Sequence, residues 1–81
     1  MNALSLAKLT IGFIGAGRLG TALAWSLAQR GLRVAAATSP TVANAQRLAA
    51  GIADCAVATS AQSVVDCCNL VFITTSDSAI A

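Results

Sequence analysis

The stretch Ile11-Gly12-Phe13-Ile14-Gly15-Ala16-Gly17-Arg18-Leu19-Gly20 decides how this chain is read. Leu9 to Ile14 is a short apolar run, of the kind that forms a strand covered on both faces. Gly15, Gly17 and Gly20 follow at once, and after Arg18 the apolar period changes. Leu19, Leu23 and Leu27 recur every four residues, which stacks them on one helix face. Strand, glycine loop and amphipathic helix in direct succession are the context in which G-x-G-x-x-G binds a dinucleotide. In that reading Gly15 makes the tight turn, Gly17 lets backbone approach a pyrophosphate, and Gly20 lets the helix pack closely. The competing reading is a bare strand-to-helix turn, for which three glycines cost much chain entropy. A P-loop is excluded, because no Lys-Ser or Lys-Thr follows the glycines.

Outward from the loop, Gly31 supplies a helix stop after Arg30, and Leu32 to Ala37 reads as a second strand. Ala35-Ala36-Ala37 is weak in β-propensity within that strand. Pro40 or Thr41 opens a second helix to about Ala50, ended by Gly51. Residues 54–58 read as a third strand, Ala61 to Cys68 as a third helix, and Leu70 to Thr75 as a fourth strand. Alternating strands and helices imply right-handed crossovers and a parallel sheet. The expected fold is α/β: a Rossmann-type doubly wound parallel sheet, incomplete, with about four strands in the order 3-2-1-4.

Composition points the same way. Hydrophobic residues are 57% of the 81 and charged residues 10%, against about 25% charged in ordinary domains. So small a free-standing globule would lack polar surface. Lys8, Arg18, Arg30, Arg33, Arg47, Asp54 and Asp66 interrupt every run that could span a bilayer. Lys8 before an apolar run imitates a signal peptide, but the run breaks into a glycine loop and Arg18. The net charge of +2 carries no basic cluster, so neither nucleic acid nor an anionic membrane is an expected partner. Three cysteines, no histidine and no Cys-x-x-Cys argue against a metal site or disulfide scaffold. Cys67 and Cys68 are read as small apolar helix residues in a reducing cytoplasm.

The sequence also bears on which dinucleotide. An NAD site places Asp or Glu about 20 residues past the loop, on the ribose hydroxyls. No carboxylate precedes Asp54, and Thr38 and Ser39 stand at the expected place. NADP is therefore favoured over NAD, and FAD is disfavoured on the same ground. Arg18, in the loop, is the candidate cation for the extra phosphate, since Arg33 lies at the wrong end of the second strand and Arg47 well inside the next helix. The order 3-2-1-4 brings Thr74, Thr75 and Ser76 beside the glycine loop, on the nicotinamide side. Asp77 is read as the cap of a following helix. The candidate cofactor residues are thus Gly15, Ala16, Gly17, Arg18, Leu19, Gly20, Thr38, Ser39, Thr74, Thr75 and Ser76. Trp25, on the helix after the loop, is expected close enough to report a bound cofactor.

Residues 11–24, Ala45-Gln46-Arg47-Leu48-Ala49 and residues 70–80 together resemble one family of Rossmann-like oxidoreductases. These are related to pyrroline-5-carboxylate reductase and hydroxyisobutyrate dehydrogenase, in a branch carrying a carboxyl-terminal helical domain. Two positions depart from the family pattern. Ser39-Pro40 stands where the family often has Ser-Arg, and Thr75-Ser76-Asp77-Ser78 where it commonly has Val-Pro-Asp-Asp. The resemblance implies that residues 1–81 are the amino-terminal part of a dinucleotide-binding domain, lacking the substrate domain. It implies an apolar open edge at the fourth strand, and self-association or a missing domain to cover it. No catalytic acid or base is assignable, because the chain has no histidine, no lysine after Lys8 and no pair of carboxylates in a plausible pocket. Hydride transfer asks only binding and orientation of the dinucleotide half. Two functions stay open: the NAD(P)-binding part of an oxidoreductase, not catalytically complete alone, or a non-catalytic nucleotide-binding module.

Overall fold

The computed structural model describes residues 9–74. In chain order they form β1 (Thr10–Ile14), α1 (Arg18–Gln29), β2 (Arg33–Thr38), α2 (Val42–Ala50), β3 (Ala56–Val57), α3 (Ala61–Cys67) and β4 (Leu70–Ile73). All pairings are parallel, and the sheet order is β3-β2-β1-β4. The α/β fold and strand order expected from the sequence are those observed. The readings for Thr75, Ser76, Asp77 and Lys8 lie outside the described residues.

Alternation along β1 divides the core. Ile11 and Phe13 are fully buried with Ala24 of α1, Leu48 of α2 and Ile52. Phe13 stacks on Phe72 of β4, its register partner, with centroids 5.3 Å apart. Gly12 points to the opposite face, where α3 lies across β1. A Cβ on Gly12 would run into Val64 Cγ1 and stand 2.7 Å from Cys68 Sγ. The strand glycine marks a close approach of the α3 segment. Its β2 partner is Ala36, reached after a register shift between Ile11 and Gly12 that passes over Ala35. The alanine run thus forms a strand despite its propensity, because a helix packs against it and the sheet pairs it on both sides.

The inward stripe of α1 differs from the leucine spacing that predicted the helix. Gly20 and Ala24 are buried, Leu23, Leu27 and Ala28 pack beside them, and Leu19 is 73% exposed. The stripe is 20, 23, 24, 27 and 28, the usual period for a helix lying on a sheet. Leu19 stands one position off that stripe. The helix stops as expected, at Arg30 with Gly31 at φ +87°.

Trp25 lies on the helix after the loop, as expected. It is seven residues into α1 from Arg18, about 10 Å along the axis at 1.5 Å per residue. Its Nε1 donates to the Leu48 carbonyl at 3.0 Å, near the end of α2, and its ring fills the place of a Gly51 Cβ. The indole locks α1 to α2 and is not beside the glycine loop. All three cysteines are free. Cys67 ends α3 and is exposed, while Cys68, read as helical, caps it with extended backbone and is partly buried under Gly12. Burial pushes the Cys68 thiol up to about 11, helped by Cys67 and Cys55 and opposed by Arg33.

Candidate functional site

The carboxyl ends of the strands and the amino end of α1 meet at Gly15 to Gly20. Gly15 has φ +99°, a conformation that side chains disfavour, and it reverses the chain out of β1. Its N–H donates to the Thr38 carbonyl at 2.8 Å, tying it to the end of β2. On the other flank, the Thr74 hydroxyl donates to the Gly15 carbonyl at 2.9 Å. The Thr74 N–H donates to the Ile14 carbonyl, also at 2.9 Å. Ala16 is buried in the core, which anchors the loop from below.

Gly17 caps α1 with an extended backbone, φ −75° and ψ −165°, and without a side-chain capping bond. The Thr21 N–H donates to the Gly17 carbonyl at 2.9 Å. Arg18, Leu19 and Gly20 therefore present amides with no intrahelical acceptor. The first turn holds no acidic residue, and the helix dipole places partial positive charge there. A Cβ on Gly17 would meet nothing within 4 Å. No atom of the described chain, and no backbone angle, requires glycine at this position. A group approaching from outside would.

The sequence candidates gather as follows. Gly15 bonds Thr38 on one side and Thr74 on the other, Gly20 lies against Gly15 and Thr74, and Ser39 follows Thr38 in the chain. The Ser39 hydroxyl accepts the Thr41 N–H at 3.2 Å, leaving its own proton to donate. Arg18 and Leu19 are exposed on the first turn of α1. Among the described arginines Arg18 alone stands at this end. Arg30 and Arg47 are at the far ends of α1 and α2, and Arg33 opens β2. Sequence reasoning missed how Thr74 engages the loop, because the pair is separated by 59 residues and no spacing rule joins them. Among the described residues no three His, Cys, Asp or Glu side chains are grouped to hold a metal ion. Nor is any described helix long and apolar enough to cross a membrane.

Residues 10–81 match the model of a family described as NADP oxidoreductase, coenzyme F420-dependent. The chain belongs to that family. Two solved structures carry the same architecture. One is a candidate NADP oxidoreductase from Bacteroides fragilis, 32% identical over 89% of this chain, with a TM-score of 0.77. The other is an imine reductase from a Pseudomonas species, 25% identical over 90% of this chain, with a TM-score of 0.74. The chain spans 28% and 24% of their lengths, about a quarter of each. No curated protein matches. The resemblance to Rossmann-like NAD(P) oxidoreductases holds, and the domain is a nucleotide-binding module of that class.

Proposed function

We propose that this domain seats the pyrophosphate of an NADP dinucleotide on the Gly15–Gly20 loop and serves hydride transfer in an oxidoreductase. The observation carrying this reading is the open approach to Gly17 beside the three unbonded amides of α1. The geometry fits a diphosphate: a positive helix end, and open space beside Gly17. Gly15, Ala16, Gly17, Leu19 and Gly20 would form the seat, and Arg18, exposed on the first turn of α1, would supply the cation beside it. Thr38 and Ser39 face the adenosine ribose, where the absence of a carboxylate before Asp54 admits a 2′-phosphate. When bound, the dinucleotide supplies or accepts the hydride at its nicotinamide ring. The described residues bind and orient it.

In this reading residues 1–81 are the amino-terminal part of the dinucleotide-binding domain. The surface that selects the substrate, including any coenzyme F420, comes from outside it. The three free thiols accord with a reducing cytoplasm. Calorimetric titration of the chain with NADPH and with NADH tests the cofactor assignment. Tighter binding of NADPH is expected, and loss of that preference on Arg18→Ala would place the 2′-phosphate at Arg18. A folded chain that binds neither would overturn the dinucleotide reading.

Among the described residues nothing pairs with the outer edge of β4, and Leu70 and Ile73 are 37% and 71% exposed. We expect the chain to self-associate through such unpaired, apolar surface. Sedimentation at micromolar concentration checks this, and a stable monomer would refute it.

A further inference from the structure

We propose that Thr74 is a positioning residue, which holds the glycine loop in its binding shape through Gly15 and Gly20. The proposal rests on the dinucleotide reading for its consequence, but its geometry stands apart from any ligand. Thr74 follows directly on β4 and is partly buried. Its backbone N–H takes the Ile14 carbonyl at 2.9 Å, which extends the β4–β1 pairing by one bond. Its hydroxyl takes the next carbonyl, that of Gly15, again at 2.9 Å. The same hydroxyl stands where a Cβ on Gly20 would be, and the Thr74 Cβ would be 3.3 Å from that atom. One side chain from the fourth strand therefore touches the first and the third glycine of the loop.

This arrangement gives two residues a physical reason. Gly20 lacks a Cβ because the Thr74 hydroxyl and the Gly15 carbonyl occupy its place, the carbonyl at 3.0 Å. Gly15 explores more backbone conformations than any other residue type. It is held to one of them by the Thr38 carbonyl on one side and the Thr74 hydroxyl on the other. The direction of the peptide after Gly15 sets where Gly17 and the first amides of α1 point. Thr74 thus acts on the dinucleotide through the loop, with its hydroxyl proton already given to Gly15. Donation from this hydroxyl to the nicotinamide would require that bond to break.

The test compares Thr74→Val, which keeps the shape and removes the hydroxyl, with Thr74→Ser, which keeps the hydroxyl. Titration with NADPH is expected to show about three- to tenfold weaker binding for the valine variant, the usual worth of one hydrogen bond. The serine variant is expected within about twofold of the parent, since the bond is retained. Amide exchange without ligand supplies the second readout. The Gly15 amide is expected to exchange faster in Thr74→Val and normally in Thr74→Ser, while the β1 amides of Ile11 to Phe13 stay unchanged. Equal acceleration across β1 would reveal general destabilisation and overturn the proposal. So would parental Gly15 exchange in the valine variant. If the parent fails to bind NADPH, the dinucleotide reading falls, and the exchange comparison alone decides the role of Thr74.

Discussion

Replacing Gly17 with valine is expected to leave the fold standing and to weaken NADPH binding by at least about 100-fold, or about 2.7 kcal/mol. The fold survives because the new Cβ would enter open space and the backbone is already extended. Two small terms oppose each other. Glycine is the better helix cap by a few tenths to about 1 kcal/mol, while its removal restricts the unfolded chain by about 0.4–1 kcal/mol. The melting temperature should therefore move by only a few degrees, since about 1 kcal/mol shifts a domain of this size by about 4–8 °C. Binding suffers because the branched side chain stands where the pyrophosphate must meet the amides of Arg18, Leu19 and Gly20. Thermal melting and NADPH titration on the same sample separate the two effects. A valine variant that binds NADPH like the parent would show that the loop is only a turn.

The opposite separation is expected at Gly12, whose replacement by valine should abolish folding. Even alanine there places a Cβ against Val64 Cγ1 and 2.7 Å from Cys68 Sγ. Val64 is fully buried and β-branched, so it has no free rotamer to retreat into. β1 is pinned on both sides by β2 and β4, so the strand cannot shift away. Overpacking of this kind costs about 1–3 kcal/mol for alanine and more for valine. A chain of this size has only about 4–12 kcal/mol in total. Circular dichroism should show the valine variant unfolded and the alanine variant with a lowered melting point. Removing the clash from the other side, in Gly12→Ala with Val64→Ala, should recover part of the loss. If the second substitution merely adds its own destabilisation, the contact is not what makes Gly12 necessary.

These two glycines stand five residues apart in one motif, yet different things require them. Gly12 answers to a helix, and Gly17, in the proposed function, to a ligand. The sequence made Gly17 legible, because strand, loop and helix around it are contiguous and each obeys a local rule. Gly12 carried a signal as well, a glycine inside a strand, but nothing nearby along the chain says what approaches it.

The sequence by itself determined the α/β class, the order of elements and the strand–glycine loop–helix unit that we propose as the seat for a dinucleotide. Those rest on hydrophobic period, turn residues and handed crossovers, all of which act over a few residues or one unit. Helix stops at Gly31 and Gly51 belong to the same class of local decisions. Only the tertiary structure decided which side of α1 faces inward, leaving Leu19 out and bringing Ala24 in. It also decided the skip past Ala35, the placement of Trp25 against α2, and the grip of Thr38 and Thr74 on Gly15. These depend on close packing between segments far apart in the chain. There a single methyl or hydroxyl either fits or collides, and periodicity along one segment holds no record of what fills the space beside it.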